Sequence, residues 1–182
     1  MLARFLTYFL ASTPPPRFMA QQFGKFKIAQ SQIFYQSSLC VAFVNIKPIV
    51  DGHVLVIPKR SSVRLNELTS EETSDLFNTV RIVQEKIELQ LGASASNIAI
   101  QDGKDAGQSV PHCHVHILPR SASSLEVVKG DEIYSELESW APRTPSPQEA
   151  KPRLAVADDA ARVSRSAAEM EAEAKIFRKL FL

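Results

Sequence analysis

The sequence predicts an α+β fold, in which an antiparallel sheet has a long helix packed on it and is followed by a C-terminal helix. Two observations predict this class. Short apolar segments, rich in β-branched and aromatic residues, alternate with turn residues between positions 27 and 118. Two longer segments place apolar residues three or four positions apart, which is the spacing of one helix face. A chain of 182 residues is long enough for one such domain with its own core.

The predicted strands are apolar segments that stop at turn residues. Four of them lie at 39–44, 53–57, 97–101 and 112–118. A further short strand or hairpin is expected within residues 27–36. Pro48 to Gly52 form a turn between the first two strands, which should therefore pair antiparallel. Pro58 and Pro119 are expected to end the strands that precede them, because proline cannot donate to a sheet ladder.

The long helix has a clear start and a clear end. Thr69 and Glu72 have capping-box spacing, so each side chain can bond a backbone N–H at the helix start. The apolar stripe that follows consists of Leu76, Val80, Val83, Ile87 and Leu91. Gly92 then ends the helix.

The chain divides into four predicted regions. They are an N-terminal extension at 1–22, a folded domain at 23–141, a proline-rich linker or loop at 142–157, and a C-terminal helix at 158–182. The apolar face of that last helix consists of Val163, Ala167, Met170, Ala174, Phe177 and Phe181. We expect this face to pack against the domain or against a second subunit.

Composition excludes several functional classes. Apolar residues make up 45% and charged residues 23% of the sequence, as in ordinary globular proteins. The net charge of +1 predicts no dense basic face for nucleic acid. Cys40 and Cys113 are too few for a disulfide scaffold and fit a reducing compartment. No run of about 18 apolar residues predicts a membrane span.

The first fifty residues are unusual in charge, with five basic residues and no acidic ones. Residues 1–18 can therefore be interpreted as a disordered extension, an organelle transit peptide or a short secretory signal. We expect a cytoplasmic protein, with the nucleus as a further site, or a mitochondrial one if this segment is a transit peptide.

The histidines form the feature most relevant to function. His112, His114 and His116 occupy alternate positions of one predicted strand, so their side chains should share one face. Cys113 and Val115 should then face the opposite side. Crowding disfavours protonation of all three rings, which favours neutral imidazoles near pH 7.

Two kinds of chemistry suit three neutral imidazoles. They could ligate zinc, although no carboxylate lies within the strand to support such a site. Alternatively, one imidazole could attack phosphorus and form a covalent intermediate while its neighbours bond the phosphate oxygens. The preceding loop at 106–110 offers a glycine, an amide and a hydroxyl that could bind phosphate.

Residues 112–118 resemble the histidine-triad pattern, in which histidines alternate with apolar residues. Several other segments resemble the fragile-histidine-triad branch of that family: 43–48, 52–56, 101–103, 106–110 and 119–120, with the Met-Glu-Ala-Glu-Ala segment from Met170. The resemblance covers roughly residues 23–140 and implies a HIT-like fold. It also implies hydrolysis of dinucleoside polyphosphates, with diadenosine triphosphate cleaved to AMP and ADP.

The resemblance also implies roles for the histidines. His114 would be the nucleophile on the α-phosphorus, and His116 would hydrogen-bond a phosphate oxygen. His112 would hold His114 in its reactive tautomer through its backbone carbonyl. His53 would complete the cluster behind these three. Gln101, on the neighbouring strand, would contact the scissile phosphate.

Substrate contacts, a metal and a partner follow from the same resemblance. Gln108 and Ser109 would bind phosphate oxygens, and Asn45 would bind the ribose. Phe23, Ile28, Phe43 and Leu55 could line a slot for the base. Mg²⁺ or Mn²⁺ would be held mainly by the substrate phosphates, with no metal site in the protein. A homodimer with a continuous antiparallel sheet is implied.

The sequence departs from the branch at three positions. Cys113 replaces an aliphatic residue, Pro111 removes an amide donor before the triad, and Phe26 stands where animal members place a histidine. One substrate contact is therefore expected to be missing.

Two functional alternatives stay open, and a third is excluded. The phosphoramidate-hydrolysing branch shares Gly-Gln-Ser-Val before the triad, but here Leu-Pro-Arg follows it. A nucleotide-binding signalling protein with incidental turnover would need the same pocket. The DNA-end-repair members carry a zinc finger, and this sequence has no Cys-x-x-Cys pair.

Overall fold

The computed structural model describes residues 19–121 and 163–182. The interpretation of residues 1–18 and the predicted linker at 142–157 lie outside them. Across the described ranges, no helix is long and apolar enough to cross a membrane.

The described chain forms a hairpin, a five-stranded sheet and two helices. The hairpin pairs β1 (Gln21–Phe23) with β2 (Phe26–Ile28). The sheet contains β3 (Ile33–Gln36), β4 (Cys40–Val44), β5 (Val54–Pro58), β6 (Ala95–Ala99) and β7 (Val115–Arg120). The helices are α1 (Ser70–Leu91) and α2 (Ala167–Arg178). The spatial order of the sheet is β3-β4-β5-β7-β6, and every neighbouring pair is antiparallel. The α+β class is therefore confirmed.

The predicted pairing of the first two strands is confirmed, since Cys40 lies opposite Pro58 and Val44 opposite Val54. The predicted end of the last strand at Pro119 is wrong, because β7 runs on to Arg120. The Arg120 carbonyl accepts from Ser94 on the β6 side, so the nitrogen of Pro119 faces the other side. On that side β5 begins only at Val54, opposite Ile117, so no residue of β5 pairs with Pro119 and no donor is needed.

The predicted bounds of the last two strands are also wrong. The third strand is Ala95–Ala99, so Gln101 follows the strand and does not lie on it. The fourth begins at Val115 because the groups before it bond other partners. The ring of His112 bonds the Pro58 carbonyl, and the Cys113 N–H donates to Ser62. Only His116 of the three clustered histidines is therefore in a strand.

Helix α1 begins and ends as predicted. Thr69 Oγ1 accepts from the Glu72 N–H at 3.2 Å, and the Glu72 carboxylate accepts from the Thr69 N–H at 2.9 Å. Gly92 caps the other end with φ of 62°, a left-handed conformation that favours glycine. Leu91, predicted as part of the apolar stripe, is 42% exposed. As the last helical residue, it packs over Gly52 outside the core.

Helix α2 begins later than predicted. Ser166 is its N-cap and shares a capping box with Glu169, so the helix starts at Ala167. Met170, Ala174 and Phe177 are buried against β3 and β4. Val163 and Ala167 are exposed, contrary to prediction, because Val163 precedes the cap and Ala167 lies on the solvent side.

The sheet separates two apolar clusters, because successive residues of a strand face opposite sides. The helix-side cluster takes Cys40, Ala42 and Val44 from β4, and packs them under α1 and α2. A second cluster lies on the opposite side of the sheet, and we call it the site-side cluster. It consists of Phe23, Ile33, Val41, Phe43, Leu55 and Ile57. The β1–β2 hairpin contributes Phe23 to it.

Candidate active site

The three clustered histidines lie on the sheet face opposite α1. The Phe23 ring is 5.6 Å from the ring of His112 and 5.2 Å from that of His114. Cys113 and Val115 are buried in the helix-side cluster. The predicted separation of histidines from their apolar neighbours is therefore confirmed, although the strand itself begins only at Val115.

The ring of His114 is held in one tautomer. Its Nδ1 lies 2.7 Å from the carbonyl oxygen of His112. A carbonyl can only accept, so Nδ1 carries the proton and Nε2 keeps its lone pair. Burial lowers the pKa of His114 below its ordinary value of 6.5, and the bond to the carbonyl offsets part of this. His114 is therefore a neutral imidazole with a basic Nε2 at pH 7.

The side chain of His112 is engaged with the backbone. Its Nε2 donates to the Pro58 carbonyl at 2.9 Å, and Nδ1 accepts from the Gly24 N–H at 3.5 Å. Burial lowers the pKa of His112, so this ring is also neutral. The ring joins the hairpin to the end of β5, while the carbonyl of the same residue orients His114.

A second set of hydrogen bonds fixes His53 and His116. The Ile49 N–H donates to His53 Nδ1 at 3.1 Å, so the proton of a neutral His53 is on Nε2. That nitrogen lies 2.9 Å from His116 Nδ1, which must then accept. The proton of His116 is consequently on its Nε2. The ring of His116 is 4.9 Å from that of His114.

Several of the ring nitrogens that a zinc ion would need bond other groups in this arrangement. His112 uses both ring nitrogens on backbone groups, and His53 and His116 share a hydrogen bond. Within the described ranges, no group of three or more histidine, cysteine, aspartate or glutamate side chains could hold a metal ion. The Cys113 thiol is buried, which raises its pKa to about 11, so it stays protonated at pH 7.

The loop after β6 is folded against Gln101. Gly107 has φ of 85°, and a Cβ there would lie 2.9 Å from Gln101 Nε2. Asp102 fixes the start of the loop by accepting from the Leu65 N–H at 2.8 Å and by pairing with Arg64 at 3.1 Å. The Arg64 guanidinium holds the pKa of Asp102 below its usual range.

The side chain of Gln108 joins three segments of backbone. Its Oε1 accepts from the Gly103 N–H at 2.9 Å, while Nε2 donates to Val63 at 2.9 Å and to His112 at 3.2 Å. Gln108, which is predicted to bind phosphate oxygens, therefore uses both ends of its side-chain amide to bond the protein's own backbone. Ser109, the other predicted phosphate ligand, is exposed.

The residues predicted to line a base slot lie together. Phe23, Phe43 and Leu55 are buried in the site-side cluster, and Ile28 packs against it. The rings of Phe23 and Phe43 meet edge to face with centroids 5.5 Å apart. Since Phe23 also contacts His114, this apolar wall is continuous with the histidines.

The histidine alternation and this fold together match one family of proteins. The HIT domain family matches residues 27–123. The chain belongs to this family.

Two curated relatives and one solved structure show which HIT domain proteins are similar. The bis(5'-nucleosyl)-tetraphosphatase [asymmetrical] of Schizosaccharomyces pombe is 57% identical over 116 residues, 64% of this chain and 62% of that protein. The bifunctional bis(5'-adenosyl)-triphosphatase/adenylylsulfatase FHIT of Arabidopsis thaliana is 44% identical over 159 residues, 87% of this chain and 83% of that protein. The structure of Plasmodium falciparum diadenosine triphosphate hydrolase in complex with Cyclomarin A matches with a TM-score of 0.64 and 25% identity. That match covers 88% of this chain and 82% of the other.

In this HIT domain, Asn45 lies directly beside His53. Its Nδ2 is 3.3 and 3.2 Å from the two ring nitrogens of His53, and its Oδ1 accepts from the Lys47 N–H at 3.1 Å. Asn45, which is predicted to bind the ribose, therefore lies next to the histidine cluster and bonds the Lys47 backbone there.

Sequence reasoning missed Arg165, which lies just before the N-cap of α2 and reaches the site, and Glu173, which binds Arg165 from α2. Arg165 bonds the carbonyl of Asn45 and pairs with Glu173 at 2.7 Å. The capping box at Ser166 was a signal for the helix start. No local pattern connects Arg165 with a loop 120 positions earlier.

Proposed function

We propose that the protein hydrolyses dinucleoside polyphosphates, cleaving diadenosine triphosphate to AMP and ADP through a nucleotidyl-histidine on His114. The observation that carries this proposal is the 2.7 Å bond from His114 Nδ1 to the His112 carbonyl. It keeps the proton off Nε2, which is the state a nucleophilic imidazole needs. The activities named for the S. pombe and Arabidopsis relatives support the same chemistry.

The reaction divides into two displacements at the α-phosphorus. In the first, the lone pair of His114 Nε2 forms an N–P bond, and the P–O bond to ADP breaks with its electron pair on ADP. In the second, water forms an O–P bond, the N–P bond breaks, and the lone pair returns to Nε2. The water protons pass to the phosphate products or to solvent, and AMP is released.

His116 is suited to stabilise the negative charge that develops on the phosphate during the reaction. Its Nε2–H is fixed by the bonds from Ile49 to His53 and from His53 to His116. A donor held in place before the reaction needs no reorganisation as the negative charge grows. We assign His116 to a hydrogen bond with a non-bridging phosphate oxygen. Gln101 would lie near the scissile phosphate. Ser109, which is exposed on the loop, would bind a phosphate oxygen.

The nucleoside would bind along the apolar wall next to His114. Phe23, Phe43, Leu55 and Ile28 provide surface for an adenine ring, and Asn45 Oδ1 has a second lone pair for a ribose hydroxyl. Mg²⁺ or Mn²⁺ would enter with the substrate, where it neutralises polyphosphate charge. Gln108 could reach phosphate only by giving up backbone bonds.

We also propose a homodimer that continues the sheet across β6. Among the described strands, β6 pairs with β7 alone and so presents an edge. Ile98 on this strand is 40% exposed, and Leu89 near the end of α1 is 81% exposed. Exposed apolar residues beside a strand edge favour pairing with another copy.

The function is tested by a substrate panel on the full chain. Diadenosine triphosphate, diadenosine tetraphosphate, adenosine 5'-phosphosulfate and an adenosine phosphoramidate are incubated with and without Mg²⁺. We expect the triphosphate to give AMP and ADP fastest. Fastest turnover of the phosphoramidate would assign the protein to that branch of the family. Tight nucleotide binding without turnover of any substrate would contradict the proposal and favour a signalling role.

A further inference from the structure

The segment that enters α2 holds the loop that carries Asn45. The Arg165 guanidinium donates from both Nε, at 3.1 Å, and Nη2 to the Asn45 carbonyl oxygen. The backbone N–H of Arg165 donates to the Ile46 carbonyl at 2.9 Å. Glu173 binds Arg165 Nη1 at 2.7 Å, and both side chains are about one-fifth exposed. A guanidinium bound on two sides fixes the carbonyl more firmly than a single flexible donor would.

The loop that Arg165 holds also contacts His53 and selects the tautomer of its ring. Asn45 donates its backbone N–H to the His53 carbonyl at 3.3 Å, and its side-chain amide lies against the His53 ring. Ile49, in the same loop, provides the N–H that selects the His53 tautomer. His53 in turn selects the tautomer of His116. A shift of this loop would therefore change which nitrogen of His116 carries the proton.

We propose that Arg165 is a positioning residue. By fixing the Asn45 carbonyl, it holds His53 and His116 in the tautomers that put a proton on Nε2 of His116. This inference rests on the proposed function for its catalytic consequence, but the tautomers themselves exist without any substrate.

The chain provides a matched control for this proposal at the other end of α2. Arg178 donates from Nε to the Ile33 carbonyl at 2.8 Å, and from Nη2 to the carbonyls of Gln30 and Ser31, both at 2.7 Å. Arg178 at the end of α2 and Arg165 just before its N-cap thus both bond backbone carbonyls of the domain. Only Arg165 bonds the loop that contacts His53. A purely structural role for Arg165 predicts that the two arginines behave alike.

The direct test is nitrogen NMR of the histidine rings in the full chain near pH 7.5, where the ring shifts distinguish the two tautomers. We expect His53 and His116 to be Nε2–H in the wild type and in Arg178→Ala. In Arg165→Ala we expect a mixture of tautomers for both rings. Unchanged rings in Arg165→Ala, or the same change in both variants, would overturn the proposal.

Kinetics provide the second test. We expect Arg165→Ala to lower kcat by roughly 10- to 100-fold, the cost of a misplaced supporting group, and Arg178→Ala to stay within about twofold. If Arg165→Ala does not fold, Glu173→Gln weakens the same arginine and should shift the tautomers in the same direction. An inactive wild type would refute the proposed function, while the NMR result would still decide the role of Arg165.

Discussion

The carbonyl oxygen of His112 accepts a 2.7 Å hydrogen bond from Nδ1 of His114, two residues further along the chain. The backbone can make this bond because residues 112–114 precede β7 and are not committed to the sheet ladder. The bond leaves His114 Nε2 as the one basic nitrogen of that ring. The reactive tautomer is thus built into the local backbone.

Replacing His114 by Asn should abolish turnover. We expect a loss of about 10³-fold or more, because the residue forms the covalent bond and no neighbour can take its place. Release of AMP and ADP, and the mass of the adenylylated chain in rapidly quenched samples, measure this effect.

The adjacent substitution Cys113→Val is the matched control. Its side chain is buried in the helix-side cluster, so kcat should change little. Persistence of the adenylylated chain in His114→Asn would refute the assignment of the nucleophile.

The acid limb of the pH profile should lie below pH 6.5. Burial lowers the pKa of His114 from its ordinary value of 6.5, and only the neutral ring can attack phosphorus. Activity should therefore be constant around pH 7 and fall only at lower pH, as the ring gains a proton. Measurement of kcat/KM between pH 4.5 and 8 reports this group in the free enzyme. A midpoint above 6.5 would show that a different group limits the rate.

Replacing Gln108 by Ala should destabilise the folded protein and also lower its rate of hydrolysis. The variant leaves the Gly103 N–H and the Val63 and His112 carbonyls without this partner. We expect the free energy of unfolding to fall by about 1–3 kcal/mol in urea denaturation. Ser109→Ala, at an exposed neighbour, should change it by less than about 0.5 kcal/mol. A raised KM with unchanged stability would instead indicate a phosphate ligand alone.

Replacing Ile98 by Asp should separate the proposed dimer. A carboxylate on the edge strand β6 would have to be desolvated when a second copy pairs there. Light scattering during gel filtration should then give the mass of one chain where the wild type gives two. Ile176→Asp alters an isoleucine that is 50% exposed on α2 and should leave the dimer intact. Separation by both variants, or by neither, would exclude β6 as the interface.

Replacing Thr69 by Ala should remove the N-cap of α1. Thr69 Oγ1 then no longer accepts from Glu72, and the expected cost is about 1 kcal/mol of unfolding free energy. Thr69→Ser keeps the oxygen and should be close to the wild type. Circular dichroism during urea denaturation compares the three proteins, and equal stabilities would show that this cap contributes nothing.

Local sequence determined the elements and the chemistry of this protein. The Thr69–Glu72 spacing gave the start of α1 because capping depends only on residues within one helical turn. Alternation placed the histidines on one sheet face and Cys113 on the other, since neighbouring side chains of an extended segment diverge. The same residues carried the family resemblance that the HIT domain match confirms.

Tertiary structure decided where the strands begin and end, which polar side chains bond the protein's own backbone, and which residues hold the site in place. Pro119 remains in β7 because, on the side that its nitrogen faces, β5 begins only at Val54, opposite Ile117, and does not pair with Pro119. Gln108 is taken up by three backbone groups from separate segments. Arg165 reaches Asn45 only because α2 returns to the sheet beside that loop. Such contacts join residues distant in sequence, and periodicity and capping describe only near neighbours, so these relationships required the folded chain.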